Sequence, residues 1–175
     1  MRHSSLSRSQ KETRTVRSLP VWVVKVSAVH GNGVFARRKI PAGSCIIEYK
    51  GERIDWTEAE RRAEENGRPI NHTFYFSLHD GRVIDGGSDG NEARFINHAC
   101  EPNCEAIEHE DGRVFIYALR PIERGEELTY NYALIYEGRH TPAIKKAFAC
   151  RCGTPGCKGT YLAPKRRSKQ KQVTS

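Results

Sequence analysis

Two Asp-Gly pairs constrain the fold of this chain more than any other feature. Asp80-Gly81 lies between Phe74-Tyr75-Phe76-Ser77-Leu78 and Arg82-Val83-Ile84-Asp85. Asp111-Gly112 lies between Ala106-Ile107-Glu108-His109 and Arg113-Val114-Phe115-Ile116-Tyr117. Glycine reaches φ > 0 without a Cβ clash, and Asp-Gly between β-branched and aromatic runs reads as a hairpin turn. The same pattern recurs along the chain. Val21–Val26 predicts a strand, and His30-Gly31-Asn32-Gly33 a turn before Val34-Phe35-Ala36. Ile40–Gly43 is a turn before a strand at Cys45–Tyr49, and Arg124-Gly125 a turn before a strand into Tyr130. One helix is expected, with Thr57 as N-cap, Glu60 closing a capping box, Gly67 at its end and Pro69 preventing its return. Its charged composition places it on the surface. Residues 138–149 are ambiguous, one helical turn or two between Pro142 and Phe148. Many short strands with few helices predict a mainly-β fold.

The net charge of +8 on 175 residues is carried at the ends. Residues 1–19 hold +4 and residues 163–175 hold +5, leaving 20–162 at −1. Both ends read as disordered basic tails. They fit a weak contact with nucleic acid, and equally a solvated terminus with no partner. No apolar run approaches the ~20 residues of a membrane span, and no signal peptide is legible, so an intracellular protein with no membrane contact is expected.

Cys150, Cys152 and Cys157 stand in a C-x-C-x4-C arrangement. Clustered thiols without a secretory route read as metal ligands rather than disulfides. Zinc takes four tetrahedral ligands, so the trio is one short. Cys45, Cys100 and Cys104 are the thiol candidates for the fourth place, with His98 and His140 behind them.

The run Arg94-Phe95-Ile96-Asn97-His98-Ala99-Cys100-Glu101-Pro102-Asn103-Cys104 precedes Gly125-Glu126-Glu127-Leu128-Thr129-Tyr130-Asn131-Tyr132, and the cysteine trio follows. In this order the three pieces resemble the SET family, whose members transfer methyl groups from S-adenosylmethionine to protein lysines. Glu48-Tyr49-Lys50-Gly51-Glu52, Asp85-Gly86 and Gly90-Asn91-Glu92-Ala93 fit the same pattern. The resemblance covers roughly residues 20–162. It implies a β-clip of short sheets with a pseudoknot-like C-terminal segment. It divides the chain into a SET domain at 20–137 and a post-SET zinc segment at 138–162.

The resemblance also implies roles. Cys100 closes a structural zinc site with Cys150, Cys152 and Cys157. His30, Gly31, Asn32 and Gly33 contact S-adenosylmethionine, as do Arg94, Asn97 and His98, with Arg151 and Tyr161 placed to cover the ligand. Tyr132 is the central catalytic residue. Tyr75, matched to the tyrosine of the family's Y-x-F strand, lines the lysine channel beside the cofactor. Tyr130 stands where the family has Phe or Tyr, and its hydroxyl favours mono- or dimethylation. The chemistry suits these residues, because a phenol joins an apolar face to a polar tip. The substrate is expected to be a basic, lysine-bearing protein such as a histone, and Glu101, Glu105, Glu108, Glu110 and Asp111 could steer it. Two features depart from the family: Ala99 replaces the usual Ser and Asn131 the usual Asp. Two other readings compete. One is a zinc module that binds nucleic acid through its tails, and the other is a silent domain that binds lysine peptides.

Overall fold

The computed structural model describes residues 19–67, 74–136 and 138–165. Ten strands and two helices fall among them, arranged as four small sheets. The mainly-β expectation holds. Pro69 and nearly all of the two basic tails lie outside the described residues.

Strands β1 (Trp22–Val26) and β2 (Asn32–Ala36) form an antiparallel pair in which Trp22 faces Ala36 and Val26 faces Asn32. Strand β3 (Cys45–Tyr49) pairs with β9 (Val114–Ala118), which pairs in turn with β8 (Cys104–Glu108). Strand β4 (Glu52–Ile54) pairs with β6 (Val83–Asp85), and β6 with β5 (Tyr75–Ser77). Both Asp-Gly hairpins form where the sequence places them. Gly81 and Gly112 sit at φ +83° and +74°, the region that only glycine enters without strain.

The smallest sheet joins distant parts of the chain. Strands β7 (Asn97–His98) and β10 (Thr129–Tyr130) run parallel, with Asn97 opposite Thr129 and His98 opposite Tyr130. Parallel strands need a long crossover. Here the β8–β9 hairpin lies within it, so two motifs far apart in sequence share one seam.

Helix α1 (Trp56–Glu65) starts two residues earlier than the Thr57 cap predicts. Asp55 is the N-cap, and its carboxylate accepts from Glu58 N at 2.8 Å. Asp outcompetes Thr because its carboxylate is the stronger acceptor and also favours the positive helix end. The helix is mostly exposed but buries Ala59 and Ala63. The ambiguous segment contains α2 (Pro142–Ala147), capped by the Thr141 hydroxyl and begun by Pro142 in the first turn.

The core is one cluster that includes Val34, Ile40, Ile96, Ile116, Ile122 and Leu128, each essentially free of solvent. A smaller cluster of Ile54, Ala59 and Val83 seats α1 on the β4–β6–β5 sheet, with Tyr75 packed against it. The C-terminal segment returns to the body where Leu134 N donates to Tyr161 O and Ala163 N donates to Leu134 O. Among the described residues no helix is long and apolar enough to cross a membrane.

Candidate active site and thiol cluster

The β7–β10 seam has a different environment on each side. On one side lies the His30–Gly33 turn. The Asn97 amide donates to His30 O at 3.2 Å, Asn32 O at 3.1 Å and Glu127 Oε1 at 2.8 Å. Glu127 also accepts from the Ser27 hydroxyl at 2.8 and 2.9 Å. Gly31 takes φ +48°, and a Cβ on Gly33 would collide with Glu127 Oε1. The turn therefore needs both glycines, and Asn97 and Glu127 hold its backbone in place. His30 and Asn32 remain exposed.

Arg94 stands on the short 3-10 turn at Glu92–Phe95. Its guanidinium lies 4.7 Å from the Phe95 ring centroid and 5.7 Å from that of Phe74, and Nη1 donates to Gly86 O at 3.0 Å. Arg94 Nε is buried with no hydrogen-bond partner among the described residues. A buried orphan donor costs free energy unless an acceptor meets it. An anionic or carbonyl-bearing group would supply one.

The other side is aromatic. The Tyr132 ring lies 5.0 Å from Tyr130, 5.4 Å from His98 and 6.0 Å from Tyr161, centroid to centroid. Tyr130 lies 6.4 Å from Phe76, and Phe76 lies 5.4 Å from Tyr49. Tyr161 joins His98 at 5.8 Å to Phe148 at 5.7 Å. A cleft of about 230 Å³ opens onto this cluster, with Phe76, Tyr130, Asn131, Tyr132, Glu105 and Leu119 in its walls.

Hydrogen bonds fix the orientation of these rings. Tyr132 donates its hydroxyl to Ile96 O at 2.8 Å and its backbone N–H to His98 Nδ1 at 3.1 Å. Tyr49 donates to Phe74 O at 2.8 Å. Burial pushes the Tyr132 and Tyr130 hydroxyls well above the usual phenol range, and neighbouring tyrosines add to it. Tyr132 is 37% exposed overall, yet its hydroxyl is buried. Burial, with Lys158 nearby, lowers His98 to about 4. Near neutral pH the cluster thus holds neutral phenols and a neutral imidazole. It can orient and polarise, but it offers no strong base.

The structure brings together most of the residues the sequence singled out. Gly31, Gly33 and the main chain of His30 and Asn32 meet Asn97, while His98, Tyr130, Tyr132 and Tyr161 share the aromatic cluster. Tyr75 does not join them. Its hydroxyl donates to Ala59 O at 3.1 Å, and its ring packs on the small cluster under α1. Alternate residues of a strand face opposite ways, so Phe76, not Tyr75, meets Tyr130. Arg151 is exposed and makes no ring contact or hydrogen bond with the cluster among the described residues. Sequence reasoning missed Tyr49, Phe76 and Glu127. Phe76 was available from the period of two, and Tyr49 from its place in Glu48–Glu52. Glu127 lies in the Gly125–Tyr132 run, but nothing there pointed to its partners Ser27 and Asn97.

The four thiols named from sequence converge. The Sγ atoms of Cys100, Cys150, Cys152 and Cys157 all lie within 4.8 Å of one another, with Cys100 and Cys150 at 3.7 Å. A tetrahedral zinc with Zn–S near 2.3 Å needs sulfurs about 3.8 Å apart. The donor set and spacing fit a closed four-thiolate metal site. Lys158 N points at Cys100 Sγ across 3.3 Å. The other candidates lie elsewhere: Cys104 is buried against Asn103 Oδ1 at 3.4 Å, Cys45 is exposed, and His140 Nε2 lies 3.3 Å from Tyr136 O.

Four small sheets, with one site assembled on a two-residue parallel seam and a four-thiol clip beside it, define a class of compact β proteins that join distant motifs at one point. The SET domain profile matches residues 31–133, more than half of the chain. The chain belongs to the SET domain family. An H3 lysine-4-specific histone-lysine N-methyltransferase of Candida albicans is 44% identical over 152 residues, covering 85% of this chain and 14% of that protein. A protein of the same description in Aspergillus oryzae is 39% identical over 163 residues, covering 91% of this chain and 12% of that protein. Human histone-lysine N-methyltransferase 2B is 40% identical over 136 residues, covering 75% of this chain and 5% of that protein. The chain thus spans a small fraction of the length of these relatives.

Proposed function

We propose that this chain is a protein-lysine methyltransferase that acts on a histone or a similarly basic protein. The observation that carries this reading is the position of Tyr132, which touches His98 on the seam and lines the cleft. When bound beside the His30–Gly33 turn, S-adenosylmethionine would supply a methyl group on a positively charged sulfur, which the substrate amine takes as the carbon–sulfur electron pair returns to sulfur.

The substrate amine must arrive neutral. Deprotonating a lysine of pKa ~10.4 near pH 7.4 costs about 4 kcal/mol. An apolar, ring-lined cleft and a nearby cation both disfavour the ammonium form. The phenols around the cleft are too weakly acidic to serve as bases. Their part is to hold the amine in line and offer oxygens to it, which is catalysis by position and fixed dipoles. Tyr132 has the central place. Phe76 and Tyr49 wall the lysine stem in the role the sequence suggested for Tyr75. The Tyr130 hydroxyl occupies space beside the amine and limits the product to mono- or dimethyl-lysine. Asn97, Glu127 and the glycines shape the cofactor turn, and Arg94 Nε offers its free N–H to the ligand.

Cys100, Cys150, Cys152 and Cys157 would hold a structural zinc ion. That clip would hold a post-SET segment at 138–162 against the SET domain at 20–137, keeping Tyr161 on His98. The relatives' activity on histone H3 makes chromatin the natural setting. The test is incubation with methyl-labelled S-adenosylmethionine and core histones, followed by mass spectrometry. Label on histone lysines is expected, and label on no basic protein offered would contradict the proposal.

A further inference from the structure

Asn131, which lines the cleft, is neutral. Its side chain is turned to its own loop, accepting from Ala133 N at 3.0 Å. Glu105 is then the one charged group among the residues lining the cleft. It lies on β8, an edge strand of the β3–β9–β8 sheet, and is exposed. Its neighbours in the cleft include Leu119, Ala106 and Pro102, none of which can pair with a carboxylate.

Most nearby carboxylates are already engaged. Glu108 accepts from His79 N at 2.8 Å, and Glu126 meets Arg120 and Asn103. Glu127 holds Ser27 and Asn97, and Glu48 holds Arg113 at 2.7 Å. The Glu105 carboxylate makes no hydrogen bond or ion pair among the described residues, while its backbone belongs to the β8–β9 ladder. An outward charge on an edge strand also guards against strand pairing, but that role needs no place in a cleft. A lone carboxylate beside apolar walls attracts a cation more strongly than one in open water.

We propose that Glu105 forms a subsite for a cationic side chain, arginine or lysine, close in sequence to the methylated lysine. The subsite sets which lysines the enzyme selects. It rests on the proposed methyltransferase reading for its substrate, and it adds a determinant at a residue outside the aromatic cluster.

The test uses the full chain and a set of neutral peptides with one central lysine. Each flanking position carries Arg or Glu in turn. Binding is read by fluorescence anisotropy, and methyl transfer by kcat/KM. One flanking position is expected to favour Arg over Glu by about fivefold, in line with a partly exposed ion pair. Glu105→Gln flattens that ratio, and Glu105→Lys inverts it at the same position. Glu110→Lys, on the same hairpin but outside the cleft, leaves the ratio as it is. A ratio unchanged in both Glu105 variants would overturn the subsite, as would an equal shift in Glu110→Lys, which would mark a general field effect. Arg-selective binding that depends on Glu105 without methyl transfer would remove the methyltransferase reading and leave the subsite. Methyl transfer whose selectivity ignores Glu105 would do the reverse.

Discussion

The backbone N–H of Tyr132 donates to Nδ1 of His98 across 3.1 Å. Through that bond the second residue after strand β10 is locked to the strand that holds the His30–Gly33 turn. His98 must accept at Nδ1, so its neutral form carries the proton on Nε2. Because His98 and Asn97 are adjacent, the His30–Gly33 side and the cleft side of the seam share one support.

Strand β5 gives a prediction from its alternation. Phe76→Ala is expected to cut kcat/KM at least tenfold, because it opens the ring wall between Tyr49 and Tyr130. Tyr75→Phe removes only the bond to Ala59 O. It should cost about 1 kcal/mol of stability and leave kcat/KM within about twofold. Parallel kinetics and melting curves check both. The opposite pattern would place Tyr75 in the channel.

Tyr130 is buried, and its hydroxyl stays protonated. Tyr130→Phe should free space beside the amine and raise the product state by one methyl group. Intact mass measurement of a lysine peptide at long reaction times reads this directly. An unchanged product distribution would show that Tyr130 does not set it.

Metal removal should act at a distance. The protein as purified should hold one zinc per chain, measured by plasma mass spectrometry. Chelation, or Cys157→Ser, should lower the melting temperature and weaken cofactor binding, because Tyr161 loses its anchor near His98. Cys45→Ser, at an exposed thiol outside the cluster, should change neither.

The outer helix has its own acid dependence. Hydrogen bonds from Arg61 and Arg62 hold Glu58 at about 2, below the usual 4.5. A carboxyl with a depressed folded-state pKa contributes stability that is fully present above 4.5 and lost as pH falls toward 2. Melting temperatures from pH 7 to pH 2.5 should therefore fall less steeply in Glu58→Gln than in the unaltered chain below pH 4.5. The effect is small, since the group is exposed. Equal slopes would show that the pairing contributes nothing.

How much was legible in the sequence follows from how local each signal is. Both Asp-Gly hairpins and the Cys45–Tyr49 strand rest on a few adjacent residues and form as read, while the turn read at His30–Gly33 ends at Gly31, with Asn32 and Gly33 already paired in β2. The α1 cap was misplaced by two residues because Asp55 and Thr57 both suit that position, and only the chain's direction decides between them. The convergence of Cys100 with the distant trio depends on a three-dimensional path that spacing does not encode, and family resemblance supplied it. Tyr75 packs under α1 rather than in the aromatic cluster, and a motif match does not show which face of a three-residue strand is inward. Glu127 was invisible, since its partners Ser27 and Asn97 lie in separate parts of the chain.

The most direct test of the account compares the unaltered chain with Tyr132→Phe on a histone H3 substrate and S-adenosylmethionine. Methyl-lysine is counted by mass spectrometry, and folding is checked by melting temperature. Loss of an oxygen aimed at a reacting centre typically costs 10²–10³ in rate. The prediction is a fall of about a hundredfold or more, with the fold retained and cofactor binding little changed. A well-folded Tyr132→Phe that methylates at the unaltered rate would contradict the central role given to this residue.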